Sequence, residues 1–310
     1  MKQSKKISII IPVYRNEGSL SITYDRIINL FKSELNDYEL ELIFVNDGSD
    51  DSSLEILISL KSKDNAIRII NFTRNFGQVH AVTAGYLYAT GEFIVTISAD
   101  LQDPVDLIVS MIKACENNAD VAICYRVDRQ DNFLSKLFSK LSYQILKIST
   151  PEMPSGGFDY VMLTSRALST INKFGAKTRF YQSDILWCGY QVSMIPYTRL
   201  KREHGKTQYT FWKKFKIFLD AILDSSYLPI RVISFIGVSI SLLGFIYSLL
   251  VVLAWMQNKT PFSGYAPIVI SVLVVGGINI LLLGVIGEYI WRIYEEVRKK
   301  PGYVIDKVYE

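Results

Sequence analysis

Two stretches toward the C-terminal end carry no charged residue: Val232 to Trp255 and Thr260 to Gly287. A bilayer's hydrocarbon core is crossed by about 20 helical residues, so each stretch is long enough to span it. Lying back to back, they predict two transmembrane helices rather than two buried core helices. The link between them holds one charged residue, Lys259. Charge placement orients the pair. Residues 1–198 carry 20 basic and 22 acidic side chains, a balance of −2. Residues 199–216 carry seven basic side chains against Glu203 alone, a balance of +6, just before the first apolar stretch. Arg292, Arg298, Lys299, Lys300 and Lys307 follow the second. Cytoplasmic segments carry an excess of Lys and Arg, so the long N-terminal part and the C-terminal end are both expected in the cytoplasm. The basic block abuts apolar sequence rather than a soluble face, which argues against nucleic acid as its partner. Met1 to Lys6 leads straight into a short apolar run, Ile7 to Ile11, so no cleavable signal sequence is expected. Cys115, Cys124 and Cys188 are scattered, with no CxxC and no Cys/His cluster, so neither zinc nor a disulfide framework is indicated.

The N-terminal part alternates short β-type runs with helical stretches. Ile7–Pro12 precedes a helical Ser19–Ser33, Leu40–Asn46 precedes Asp51–Lys61, and Ile67–Phe72 precedes Phe76–Ala89. Phe93–Ser98 then leads to Pro104–Asn117 and Val121–Tyr125. Strands that are apolar throughout, spaced by helices, predict a parallel sheet covered on both faces, a doubly wound α/β domain. Ligands of such domains bind beyond the carboxyl ends of the strands. Those ends are unusually polar here: Pro12 to Glu17, Asn46 to Asp51, Thr73 to Gly77 and Ser98 to Pro104. One such end is an ordinary turn and helix cap; four in succession point to a site. No GxGxxG follows the first strand and no GxxxxGK[ST] exists, so neither a dinucleotide fingerprint nor a P-loop is present. A nucleotide site built from carboxylates remains, with a divalent cation carrying the diphosphate.

From about Pro151 the pattern changes. Ser155 to Tyr160 reads as a loop entering a β-like stretch, Arg179 to Gly189 as a helix, and Gln191–Tyr197 as another strand. Between Thr210 and Ser226, Phe211, Trp212, Phe215, Phe218, Leu219 and Ile222 interleave with lysines. That pattern fits an interfacial helix lying on the membrane or a helix packed on the soluble domain.

Several motifs together resemble a known family. Ile9 to Glu17, Val45-Asn46-Asp47-Gly48-Ser49 and Ser98 to Pro104 are similar to the family-2 inverting glycosyltransferases of GT-A fold. Arg74-Asn75-Phe76-Gly77, the Arg202-x-x-Gly205-x-Thr207 segment and the paired apolar stretches narrow the resemblance to the polyprenyl-phosphate glycosyltransferases. It covers nearly the whole chain and is poorly specific for the sugar. It implies residues 1–209 as a cytoplasmic GT-A domain and 210–231 as a juxtamembrane amphipathic segment. It implies 232–291 as two transmembrane helices and 292–310 as a cytoplasmic tail. The implied reaction is attack of a membrane lipid's phosphate on a nucleotide-diphospho-sugar, UDP-linked by analogy with bacterial relatives, with inversion at the anomeric carbon. The implied acceptor is undecaprenyl or another polyprenyl phosphate, the setting a bacterial cytoplasmic membrane, and the product a precursor for envelope glycans.

Carried over by position, Pro12, Tyr14 and Glu17 line the nucleoside pocket and Asp47 accepts a hydrogen bond from the base. Ser98, Ala99 and Asp100 also fall on the nucleotide. Asp100 is the metal ligand, with Gln102 nearby, and the metal is Mg²⁺ or Mn²⁺. Arg202 and Lys206 hold the diphosphate and the acceptor phosphate. Asp159 falls near a family aspartate assigned as base, although an acceptor phosphate is largely ionised at neutral pH and needs a base less than a hydroxyl does. The sequence departs from the family at its D-x-D motif, which reads Ser98-Ala99-Asp100. A hydroxyl brings no charge, so metal binding is expected to rest on Asp100 and the donor's own diphosphate. The only histidines, His80 and His204, have no partner at metal-ligand spacing. Gly276, Gly277, Gly284 and Gly287 permit close helix contact and hence self-association.

Three alternatives compete. A chain-extending polysaccharide synthase has the same donor chemistry, but two spans are few for a polymer channel and no Gln-x-x-Arg-Trp is present. A silent membrane scaffold with a nucleotide-sugar pocket is opposed by the joint presence of Glu17, Asp47, Asp100, Asp159 and Arg202. A transporter is opposed by spans without ionisable residues, Glu288 standing at the very end beside Arg292.

Overall fold

The computed structural model describes residues 4–127, 151–154, 157–174, 181–198, 228–257, 266–298 and 300–310. Two compact units result, Met1–Ser225 with Pro301–Glu310, and Ser226–Lys300.

The larger unit is built on one sheet. Its first half is β1 (Lys6–Val13), α1 (Leu20–Ser33), β2 (Glu39–Asn46), α2 (Ser53–Lys61), β3 (Ile67–Phe72), α3 (Gln78–Tyr88), β4 (Phe93–Thr96), α4 (Leu107–Glu116) and β5 (Val121–Arg126). Then come β6 (Tyr160–Thr164), α5 (Ser165–Ile171), α6 (Tyr181–Trp187), β7 (Val192–Tyr197) and, after the second unit, β8 (Ile305–Tyr309). The strand order is β7-β5-β6-β4-β1-β2-β3-β8. β1 pairs in parallel with β2 and β4, and β2 with β3, as the apolar runs predict.

Period-two alternation divides the core. Ile7, Ile9, Ile11, Leu42, Phe44, Ile67 and Ile69 are buried in one cluster with residues of α1, α2 and α4. Ile10, Ile43, Val45 and Ile70 are buried in a second with residues of α3, α5 and α6. Successive strand side chains point to opposite faces, so covering both faces demands the unbroken apolar runs that mark β1 to β3. Each fully buried aliphatic side chain contributes about 1.5–3 kcal/mol. Packing is tight where α3 crosses β1: a Cβ placed on Gly85 would run into the Ile10 side chain.

Two strands correct the all-parallel expectation. β6 runs antiparallel between β4 and β5, pairing Thr96 with Val161 and Cys124 with Tyr160. β8 runs antiparallel to β3 at the sheet's edge. An apolar strand buried on both faces has the same composition whichever way it points, so composition could not reveal the direction. The reversal matters for the site. The start of β6, beside Asp159, lies at the same edge as the carboxyl ends of β4 and β5. β4 also stops at Thr96, two residues before Ser98, leaving Ser98 to Asp103 outside the ladder.

The second unit consists of α7 (Leu228–Met256) and α8 (Ala266–Val297). Among the described residues, one stretch is long and apolar enough to cross a membrane, Val274–Tyr294. The apolar stretch in α7, Phe235–Tyr247, is shorter than the crossing length. The two-span expectation is thus met by this measure in α8 only. Glu288 pairs with Arg292 one turn away, Nη2 to Oε1 3.1 Å. Arg202, Lys206 and the amphipathic segment 210–226 lie outside the described residues.

Candidate active site at the carboxyl edge of the sheet

The turns after β1 and β2 are laced together. The Arg15 N–H donates to Ser49 Oγ (3.1 Å), Asn16 N–H to Ser53 Oγ (3.0 Å) and Glu17 N–H to Asp51 Oδ2 (3.3 Å). In return the Ser52 N–H donates to Glu17 Oε2 (3.0 Å), at the start of α2. Arg15 holds Asp50 with two hydrogen bonds of 2.5 Å and lies over the Tyr14 ring. Pro12 pairs with Val45 in the last but one rung of the β1–β2 ladder, which ends at Val13 and Asn46. Tyr14 and Glu17 on the turn after β1 and Asp47 on the turn after β2 therefore lie on two adjoining turns, with Pro12 near the end of β1.

Asp47 is buried and already engaged. Its Oδ1 accepts from Phe76 N–H (2.7 Å), and its Oδ2 from Gly77 N–H and Asn75 Nδ2 (both 2.9 Å). Burial pushes its pKa up from 3.8 to about 6, against the pull of the two backbone donors. A carboxylate offers about four acceptor positions, so three donors leave room for one more. The carboxylate first of all anchors the Arg74–Gly77 loop to the end of β2. Gly48 makes that contact possible. It has φ +62°, and a Cβ there would collide with the backbone of Arg74 and Asn75.

The segment after β4 is held from three sides. The carbonyl of Ala99 accepts from Ser19 Oγ (2.6 Å) and Thr23 Oγ1 (3.3 Å) of the α1 region. Asp100 Oδ1 receives Ser98 Oγ (2.7 Å) and the Gln102 N–H (3.2 Å). Ser98 Oγ is also 2.6 Å from Asp103 Oδ2, and Tyr197 donates its hydroxyl to Asp103 Oδ1 (2.7 Å). Burial first, and then the charge of Asp103, keep the Tyr197 phenol protonated far above its usual range. Arg15 (φ 55°) and Leu101 (φ 62°) both hold left-handed backbone at this edge. Such strain costs of order 1–3 kcal/mol per residue and gathers at functional sites.

Asp159 stands just before β6. Its Oδ1 accepts from Gln182 Nε2 (3.1 Å) and Tyr181 Oη (3.4 Å), and its Oδ2 lies 3.5 Å from Arg126 Nη2. Arg126 Nε reaches Tyr197 Oη at 3.4 Å. A polar chain therefore runs from Asp159 through Arg126, Tyr197, Asp103 and Ser98 to Asp100. Sequence reasoning did not find Tyr197 or Arg126. They end β7 and β5, which pair residue for residue, Arg126 with Tyr197. That pairing leaves no local signal.

Among the described residues, no group of three or more His, Cys, Asp or Glu side chains could hold a metal unaided. Asp100 suits a hard cation nonetheless. Mg²⁺ commonly takes one or two carboxylates and completes its shell with water and substrate phosphates. Asp100 with a donor diphosphate meets that pattern.

The fold is α/β of GT-A-like type, and its family makes the chain a sugar-transferring enzyme. Residues 8–225 match the model of glycosyl transferase family 2, and the chain belongs to that family. It is 32% identical over 304 residues to the SfII prophage-derived bactoprenol glucosyl transferase of Shigella flexneri, covering 97% of this chain and 98% of that one. It is 34% identical over 311 residues to the uncharacterized glycosyltransferase YkcC of Bacillus subtilis (strain 168), covering 100% and 96%. Among solved structures it is similar to glucosyl-3-phosphoglycerate synthase from Mycobacterium tuberculosis in complex with Mn²⁺, UDP-glucose and phosphoglyceric acid. That match has 15% identity and a TM-score of 0.49, covering 71% of this chain and 78% of that one.

Proposed function

We propose that this glycosyltransferase moves a hexose-type sugar from a nucleotide-diphospho-sugar, in the first place a UDP-sugar, to the phosphate of undecaprenyl or another polyprenyl lipid. The observation that carries this is the near-full-length similarity to bactoprenol glucosyl transferases, which runs through α7 and α8 as well as the catalytic domain. In the reaction a phosphate oxygen of the lipid forms a bond to the anomeric carbon. The bond from that carbon to the diphosphate oxygen breaks, the nucleoside diphosphate leaves with the electron pair, and configuration inverts.

The residues divide this work. The turns bearing Tyr14, Glu17 and Asp47 receive the nucleoside, and Asp100, with Gln102 beside it, takes the metal. A bound Mg²⁺ or Mn²⁺ supplies compensation for the charge that builds on the leaving diphosphate. Arg202 and Lys206, in the basic block before α7, add cationic side chains for the diphosphate and the acceptor phosphate. Asp159, fixed by Gln182, Tyr181 and Arg126, orients the sugar or the acceptor. The nucleophile arrives largely ionised, so its deprotonation contributes little.

A membrane setting is supported from two directions. Phe235, Ile280 and Leu283 are among many exposed large apolar side chains of α7 and α8. A helix hydrophobic all round is stable inside protein or lipid. Continuity of the chain supports two crossings. Residues before α7 and residues after α8 lie in one sheet. Two segments of one sheet favour one side of a bilayer for both, and with it an even number of crossings between them. The basic blocks favour the cytoplasm for that side, and the glycines of α8 favour self-association.

The test is a product assay. Purified protein in detergent receives undecaprenyl phosphate, Mg²⁺ or Mn²⁺, and a panel of UDP- and GDP-sugars. Expected are release of nucleoside diphosphate from one donor and a lipid gaining the mass of one sugar. Release of nucleotide with no glycosylated lipid contradicts the acceptor.

A further inference from the structure

The last ten residues, Pro301–Glu310, belong to the larger unit and pack along β3. β8 covers the outer edge of β3 with a register shift at Asn71/Phe72. Beside that shift, the Thr73 N–H donates to the Val304 carbonyl (3.1 Å). The Tyr303 ring stacks on Phe72 at 4.9 Å between centroids, and Phe72 meets Phe76 edge-on at 5.7 Å. The Arg74–Gly77 loop is thus held by Asp47 within, while Tyr303 and Val304 hold Phe72 and Thr73, which lead into it, and Phe72 in turn meets Phe76.

A polar line runs inward from the same strand. Asp306 Oδ2 accepts from Asn71 Nδ2 (3.0 Å), and Asn71 Oδ1 accepts from Asn46 Nδ2 (2.8 Å). Asn46 Oδ1 then faces the Ser49 N–H at 3.4 Å. Asn46 and Asn71 are register partners on β2 and β3, and both are buried. An ionised carboxylate only accepts. Asp306 therefore obliges Asn71 to turn its NH₂ outward and its carbonyl inward. Asn46 must then present its own NH₂ to Asn71, leaving its carbonyl for the Asp47-Gly48-Ser49 turn. One carboxylate on the last strand sets two buried amides and ends on a turn of the candidate site.

We infer that Tyr303 and Asp306 are positioning residues of the donor site. The C-terminal strand holds the Asp47–Ser49 turn and the Arg74–Gly77 loop in the arrangement that binds the nucleotide. This rests on the donor-site assignment above and extends it to residues that return from the helix pair. The donor site is complete only when the last strand is docked.

The experiment uses full-length protein in detergent. UDP binding in the presence of Mn²⁺ is measured by calorimetry, and transfer kinetics are followed over a range of donor and acceptor. Asn71→Asp sets two carboxylates against each other. It is expected to weaken UDP binding and raise the donor KM by about tenfold, the scale of one buried hydrogen bond. The acceptor KM and kcat should change less than about twofold. The exchanged pair Asn71→Asp with Asp306→Asn removes the repulsion: the outer bond reverses, the amide at 306 donating to the carboxylate at 71, which still accepts from Asn46 Nδ2 and so keeps Asn46 in its orientation; most of the binding should recover. Tyr303→Ala, on the outer face, is the second probe should Asn71→Asp not fold, and is expected to act in the same direction. Asp47→Ala separates the two claims. Unchanged UDP binding in Asp47→Ala contradicts the donor-site assignment and this inference with it. Weakened binding in Asp47→Ala, with no change in the Asn71 and Tyr303 variants, overturns this inference alone. So does an Asn71→Asp defect that the exchanged pair fails to recover.

Discussion

The two halves of the sheet's carboxyl edge hold their carboxylates in different ways. On the β1–β2–β3 side, Asp47, Glu17 and Asp51 accept from backbone N–H groups of neighbouring turns. On the β4–β6–β5–β7 side, Asp100, Asp103 and Asp159 are tied mainly by side chains: Ser98, Tyr197, Gln182 and Arg126. Backbone donors fix a turn's shape and stay in place when substrate comes and goes. Hydroxyl and guanidinium partners can exchange a protein oxygen for a phosphate or a metal-bound water. The first arrangement suits holding a nucleoside, the second the reacting end of the donor.

That contrast can be broken by substitution. The largest effect is expected at Asp100. Asp100→Asn keeps the shape and removes the one carboxylate assigned to metal, so transfer should fall at least about 100-fold, the scale of losing a charge-stabilising group. Product formation across a Mn²⁺ titration checks this, and a variant within a few-fold of wild type would remove Asp100 from the metal site.

Asp47 sharpens the other half through pH. Its folded value of about 6 lies above the ordinary 3.8. The native protein keeps a proton there that the unfolded chain has released, so this group's contribution to stability is present below pH 4 and lost as pH rises to about 6. The change is at most about 3 kcal/mol. Donor binding should run the opposite way, because the ionised form accepts from the Arg74–Gly77 loop. UDP affinity is expected to drop below about pH 6, and urea midpoints of Asp47→Asn should lose the slope that wild type shows in this window.

A smaller effect is expected at Ser98. Ser98→Ala removes the hydroxyl between Asp100 and Asp103 and should weaken Mn²⁺ binding about tenfold, the low end for partners that orient a metal ligand. Titration of Mn²⁺ in the presence of UDP, followed by magnetic resonance, measures it. The smallest effect belongs to the Arg15–Asp50 pair, which is exposed on both sides. Surface pairs of this kind contribute little, so Asp50→Ala should leave the melting temperature unresolved from wild type.

Much of this architecture is legible in the chain. The apolar runs of β1 to β4 and the polar residues that follow them place Tyr14, Glu17, Asp47 and Asp100 at one edge without a structure. What escapes is long-range pairing. Val161 to Leu163 gives no hint of direction, so β6 between β4 and β5 was unforeseen. Tyr197 reads as the end of an ordinary strand, and only its pairing with Arg126 brings it to Asp103. Tyr303 to Asp306 read as part of a tail, because five residues of β8 are too short to declare an edge strand. Asp47 stands out in the sequence as a candidate, while the loop that occupies its oxygens lies about 30 residues away and shows no pattern linking the two.

The most direct measurement is steady-state transfer to undecaprenyl phosphate over a range of donor for Asp47→Ala and Asp159→Asn. A binding half and a reacting half predict a split: a raised donor KM with little change in kcat for Asp47→Ala, and a lowered kcat with little change in donor KM for Asp159→Asn. Equal losses in both constants for both variants would contradict the division of labour along this edge.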